Sequence, residues 1–336
     1  MDAFILAAAS ALARLGRLAP PQSLPRVKTT VPDALKADLP PSKWGKILSG
    51  TPVVLAVVAT MLAGLASSEM TQAQYDRSLA AQLQSKAGDQ WSFFQAKRLR
   101  SALQNNTLDV ILNTSGRSPL DRTAWLQALA GTPVATELAT PAGESGLAVL
   151  SARTLPMPPA AAPLAPQVHA ALVALETAQP EAEFNAQLAK VSDSDLEVAV
   201  RAARDQAMAL DTVLKPVGQI VERMEQHLDK PQVDAAVRGS FITARLGYNA
   251  RRYDAEARLN QSVAALYELQ VRKANVSAAR HHRRSQKFFF GMLAAQLGVI
   301  VSTLAIAARQ RNLLWALAAG AGAAAIAFAA YVYLFV

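Results

Sequence analysis

Three stretches of this chain carry no charged residue: 47–66, 288–308 and 313–336. A helix needs about 20 apolar residues to cross roughly 30 Å of hydrocarbon, and each stretch is long enough. A buried helix in a soluble core can account for one such run. Two runs separated by four residues near the end of the sequence predict a membrane hairpin. The expected fold class is an all-α membrane protein with three transmembrane helices.

Proline placement predicts how far the helices continue beyond the membrane. Proline inside a helix costs about 3 kcal/mol, so long helices belong in proline-free spans. Pro52 falls in the first turns of the first run, where a missing N–H matters least, and no proline follows until Pro119. One helix can therefore run from Val53 to about Gln104. After Pro231 there is no proline at all, so a second can run from Val233 to Ala308, with Gly239 and Gly247 as possible bends. Tyr75, Leu79, Leu83, Ala87, Trp91 and Phe94 recur every three or four residues, and Leu99 and Leu103 extend the stripe. Leu259, Val263, Leu266 and Leu269 do the same on the returning arm. This spacing marks an amphipathic face. The heptads are uneven, so the expectation is a long extramembrane helical hairpin with coiled-coil character. Its seam would comprise Trp91, Phe94, Leu259, Val263 and Leu266. Trp91 lies 25 residues beyond the first run and Val263 25 residues before the second, so equal helical rise sets them level.

The chain then divides as follows. An amphipathic helix and proline-rich linker occupy 1–46, the first transmembrane helix 47–66, and the first hairpin arm 67–104. An inserted, partly irregular helical region fills 105–230, with a Pro/Ala linker at 155–166. Within it, 119–130 reads as a short helix closed by Gly131, and Pro180, Glu181 and Glu183 read as a helix start. Ser194 and Glu197 have capping-box spacing, opening a helix that Pro216 would kink or break. The second arm spans 231–287, ahead of the transmembrane helices at 288–308 and 313–336.

Composition narrows the chemistry. The 336 residues include no cysteine, which excludes disulfides, thiol nucleophiles and thiolate metal sites. The net charge of +9 gathers near membrane ends, notably Arg280, Arg283, Arg284 and Lys287 in RHHRRSQK. That segment reads as a membrane-surface anchor facing anionic lipid head groups. No recognition motif accompanies the charge, so nucleic acid is not an expected partner. No dinucleotide, phosphate-loop, zinc-protease or serine-hydrolase signature occurs, and no catalytic residue, cofactor or metal ligand is expected. His281 and His282 are neighbours on a helix and point about 100° apart, which suits them poorly to one metal. Gln296 lies inside the second run, where it either bonds a neighbouring helix or lines a polar path. Ala318, Gly320, Gly322 and Ala324 in the third run allow close helix approach.

The block GDQWSFFQAKRLR at 88–100 resembles the signature of domain-of-unknown-function family 4337, a family of bacterial membrane proteins. The likeness extends to RHHRRSQKFFF at 280–290 and to a hairpin turn, RQRN, at 309–312. It covers about 47–100 and 251–336, with 105–240 resembling an insertion. It implies a bacterial inner membrane and supplies no activity or cofactor. A coiled coil beside a two-helix hairpin also resembles the mitochondrial calcium uniporter layout. That protein's acidic pore signature is absent, and Arg309 and Arg311 stand in the turn instead.

The expectation is a non-enzymatic, homo-oligomeric scaffold or interaction protein of unidentified protein partner. The alternative is a channel or transport accessory with a polar path near Gln296. Lys36, Lys43 and Lys46 before the first helix, with Arg309 and Arg311 in the turn, favour a cytoplasmic N-terminus and a periplasmic polar region.

Overall fold

The computed structural model describes residues 43–114, 121–152, 154–307 and 311–335. The N-terminal helix and proline-rich linker expected before position 43, and Arg309 in the turn, lie outside these residues. All regular structure among the described residues is helical: α1 Lys43–Thr114, α2 Arg122–Ala128, α3 Pro133–Leu138, α4 Pro141–Ser151, α5 Pro166–Glu176, α6 Glu181–Leu188, α7 Asp193–Leu228, α8 Ala235–Ala307 and α9 Arg311–Phe335. Helices α1, α8 and α9 are long and apolar enough to cross a membrane. Their apolar parts supply the framework of a multi-pass membrane protein.

Both proline-free spans form single helices. α1 runs through Pro52 and on past Gln104 to Thr114, and α8 runs unbroken through Gly239 and Gly247. The two lie antiparallel. Ser285 Oγ donates to the Ala66 carbonyl at 2.7 Å, and Ser101 Oγ donates to the Ala250 carbonyl at 2.9 Å. One register therefore holds from the membrane edge to the far end of the arm.

The seam between them is built mainly on alanine. On α1, Ala59, Ala66, Ala73, Ala80 and Ala87 are all buried and seven residues apart. On α8, Ala250, Ala257, Ala264, Val271, Ala278 and Ser285 repeat the interval. A strict seven-residue repeat keeps one face of each helix on its partner, and methyl-sized side chains let the axes come close. The expected stripe is corrected here. Tyr75, Leu79, Leu99 and Leu103 are exposed, and the inward positions between them belong to Ala73, Asp76 and Ala80. Ala87 of the expected stripe is buried and Leu83, Trp91 and Phe94 are half-buried, whereas the exposed members mislead because alanine scores weakly as apolar while fitting a close seam best.

The region between the arms is a helical cap lying along α8. α7 runs antiparallel to α8: Lys273 meets Asp193 at 2.8 Å near one end, and Arg245 pairs with Glu225 near the other. One core gathers Trp125, Leu138, Leu147, Ile220, Met224, Phe241 and Tyr248 from α2–α4, α7 and the start of α8. A second gathers Ala171, Phe184, Leu188, Leu196, Val263 and Leu266 from α5–α8, with Ala87 of α1. The Pro/Ala segment is extended between the cores, with Leu155 packed on the first and Leu164 on the second.

Local signals account for the cap helices. α3 and α4 each begin with Thr-Pro: Thr132 and Thr140 stand at the N-caps, and Pro133 and Pro141 occupy the first turn. Proline at this place loses no intrahelical bond. α6 starts after Pro180 with Glu181 and Glu183 in its first turn, as the sequence suggests. The cap of α7 differs from expectation. Ser192, not Ser194, accepts from Asp195 N at 3.0 Å, and the helix continues through Pro216 to Leu228.

In the apolar segment, Ala59, Leu62, Ala66, Phe288, Ala295, Ala325 and Val332 form a three-helix core. Gly298 and Gly322 leave room for Leu55, and a methyl at Gly322 would fall 2.5 Å from Leu55 Cδ2. Close α8–α9 packing through small residues holds where Gly298 meets Ala318 and Ala321, Gly322 admits Leu55 of α1, and Gly320 and Ala324 face outward.

Candidate functional site at the membrane surface

A band of ionisable groups closes the α1–α8 seam just outside the apolar segment. The first acidic residues of α1 beyond it are Glu69 and Asp76, both on the inward heptad positions. The antiparallel register brings them to the RHHRRSQK segment of α8. His281 Nδ1 lies 2.5 Å from Glu69 Oε2, and His281 Nε2 lies 4.0 Å from Asp76 Oδ2. Arg284 Nη1 stands 3.9 Å from Glu69 Oε1. Gln72 donates to Asp76 Oδ1 at 3.3 Å. Asp76 is 7% exposed, and its Oδ2 accepts no hydrogen bond.

His281 Nδ1 is within hydrogen-bond reach of Glu69, whereas Nε2 is too far from Asp76 for a hydrogen bond. A charged layer in a seam of methyl groups also favours one register, because a slip would part Glu69 from both His281 and Arg284 or Asp76 from its present place.

The four anchor cations separate into two pairs. Arg280 and Arg283 are exposed. Arg284 turns in toward Glu69, and the Lys287 ammonium lies 5.4 Å from the centre of the Tyr331 ring on α9. His282 points away from His281 and accepts from Gln286 Nε2 at 3.1 Å. Among the described residues no group of histidine and carboxylate side chains could hold a metal.

The signature block performs a second fastening farther out. Arg98 reaches Asp254 at 2.7 Å and Lys97 pairs with Glu256. Lys97, Arg100 and Arg252 surround the Tyr253 ring at 5.3, 5.9 and 4.8 Å. Trp91 and Phe94 are half-buried and meet edge to face at 5.5 Å. The register sets Trp91 level with Asn260. Val263 and Leu266 are instead buried with Ala87 beneath the cap, and Leu259 is half-buried. The expected seam residues thus fall into two groups, because α5–α7 cover the Val263 face and no sequence spacing on α8 announces that cover.

Gln296 points outward from the three apolar helices and has no hydrogen-bond partner among the described residues. Glu69 and Asp76 escaped the sequence reading. The signal for them was present: each is an acid on the second inward line of α1, which Leu62 and Leu83 occupy on either side.

No curated protein and no solved structure was found to match this chain. The match to a family model extends 30 residues beyond the signature, through the part of the chain taken from the sequence as the start of an insertion, and does not include α8 or α9. Residues 44–130, which take in α1 with its signature block and α2, match the model of a domain of unknown function, DUF4337.

Proposed function

We propose that this chain is a non-enzymatic, homo-oligomeric membrane scaffold that holds a helical cap at a set distance from the bilayer. One observation carries the reading: α1 and α8 pass from their apolar segments into the arm as unbroken helices held in one register. From Ala66 to Thr114 the arm reaches about 70 Å at 1.5 Å per residue. The alanine heptads give it the character of an antiparallel coiled coil, stiff enough to transmit position. The membrane is the bacterial inner membrane, with the N-terminus in the cytoplasm and the cap in the periplasm. Arg280 and Arg283, free of the seam, are available to anionic head groups.

The second reading, a channel or transport accessory, rests on Gln296. In a single copy that amide faces outward, so any polar path would run between copies. Purified full-length chain in planar bilayers distinguishes the two readings. A scaffold gives no unitary conductance, and its mass in nanodiscs is a multiple of 35.7 kDa. Reproducible single-channel steps would overturn the scaffold reading.

A further inference from the structure

α9 packs against one side of the α1–α8 pair, and among the described residues no helix covers the opposite side. On the covered side, Gly291 meets Phe328 and Gly298 meets Ala321. On the open side, His282, Phe289 and Gln296 stand at seven-residue intervals on α8, with Leu293 and Ile300 beside them, all but His282 exposed. Three features make this side unusual. Gln296 lies near the middle of the uncharged run, where acyl chains offer no hydrogen bond, and it has no partner among the described residues. The facing residues of α1 are Ala56, Thr60, Ala63 and Ser67, and Thr60 spends its hydroxyl on the Ala56 carbonyl. A hollow of about 620 Å³ opens between Ala63, Ser67, Met70 and the half-exposed rings of Phe289 and Phe290.

We propose that this side is the contact between two copies of the chain, related by a two-fold axis along the membrane normal. The inference rests on the homo-oligomeric part of the function above and names its surface. An amide is both donor and acceptor, so Gln296 is complementary to the same residue in a second copy. In a two-fold contact a projection and the recess beside it are also complementary to themselves. The Phe290 ring of each copy fills the hollow of the other, and the small residues of α1 let the backbones approach. A lipid tail could fill the hollow but would leave the amide unpaired.

The cysteine-free background permits a direct test in native membranes. Gln296→Cys and Ile300→Cys should each give disulfide-linked dimers on mild oxidation, whereas Ala324→Cys on the outward side of α9 should not. Gln296→Leu, which removes a polar group from hydrocarbon and leaves each copy able to fold, should weaken dimerisation about tenfold in nanodiscs. Dimers linked at 324 and not at 296 would overturn this surface and leave the oligomeric scaffold standing. A monomer mass with no linkage at any of the three would overturn both. Linkage of 296 only to a different protein, or a phospholipid retained in the hollow of a monomer, would also overturn the two-fold contact.

Discussion

Ser285 donates its hydroxyl to the Ala66 carbonyl across the seam, at the level where the uncharged runs of α1 and α8 both begin or end. A serine hydroxyl this short can reach a backbone oxygen on another helix only where the axes are close. The bond therefore records both the tight seam and its register. One turn farther from the membrane, the same register puts His281 between Glu69 and Asp76.

Replacing His281 should loosen this layer. His281→Ala leaves Glu69 with only the more distant Arg284. Loss of a hydrogen bond to a partly buried carboxylate costs about 1–3 kcal/mol, visible as a lower midpoint in thermal unfolding of the detergent-solubilised chain. His282→Ala, one residue on and facing away, should change the midpoint little. Equal effects from the two would show that the layer contributes nothing specific.

Gly143 admits no side chain. A Cβ there would overlap the backbone of Glu137 and Leu138, where α4 starts against α3. Gly143→Ala should destabilise the cap by about 1–3 kcal/mol, the usual range for overpacking. Gly88 has open space around it within α1, so Gly88→Ala should raise stability by about 0.5–1 kcal/mol through helix propensity. Denaturant titration of both variants checks the contrast in sign.

Tyr248 supplies a pH dependence. Burial pushes its phenol above the usual value of 10.0, and the nearby Arg252 only partly offsets this. The folded state therefore keeps the proton at pH values where the unfolded chain has begun to lose it. The contribution to stability is complete below pH 10 and is lost as pH rises through the folded-state value. The hydroxyl is buried without a hydrogen bond, so Tyr248→Phe should cost little at pH 7. It should flatten the decline in stability above pH 10. An unchanged alkaline limb in the variant would assign that decline to other groups.

Orientation follows from a labelling contrast. Single cysteines at 144, in α4 of the cap, and at 311, at the start of α9, can be probed on intact cells with an impermeant thiol reagent. Position 144 should label and 311 should not. The reverse pattern would place the cap in the cytoplasm.

The sequence by itself determined the helical class, the three apolar segments and the continuity of the two long helices. These depend on properties local to the chain: uncharged runs long enough for a bilayer, and proline-free spans that never interrupt backbone hydrogen bonding. Choice of the packed face was legible only in part: Ala87 of the expected stripe is inside. Tyr75, Leu79, Leu99 and Leu103 are larger and more apolar than Ala73 and Ala80, yet the alanines are inside. Closeness of approach, a property of two helices together, decided that. It also decided that Glu69 and Asp76 meet His281 across more than 200 residues of chain, and that Val263 is covered by the cap rather than by Trp91. Register and cover arise from pairs of elements, and spacing along one element does not encode them.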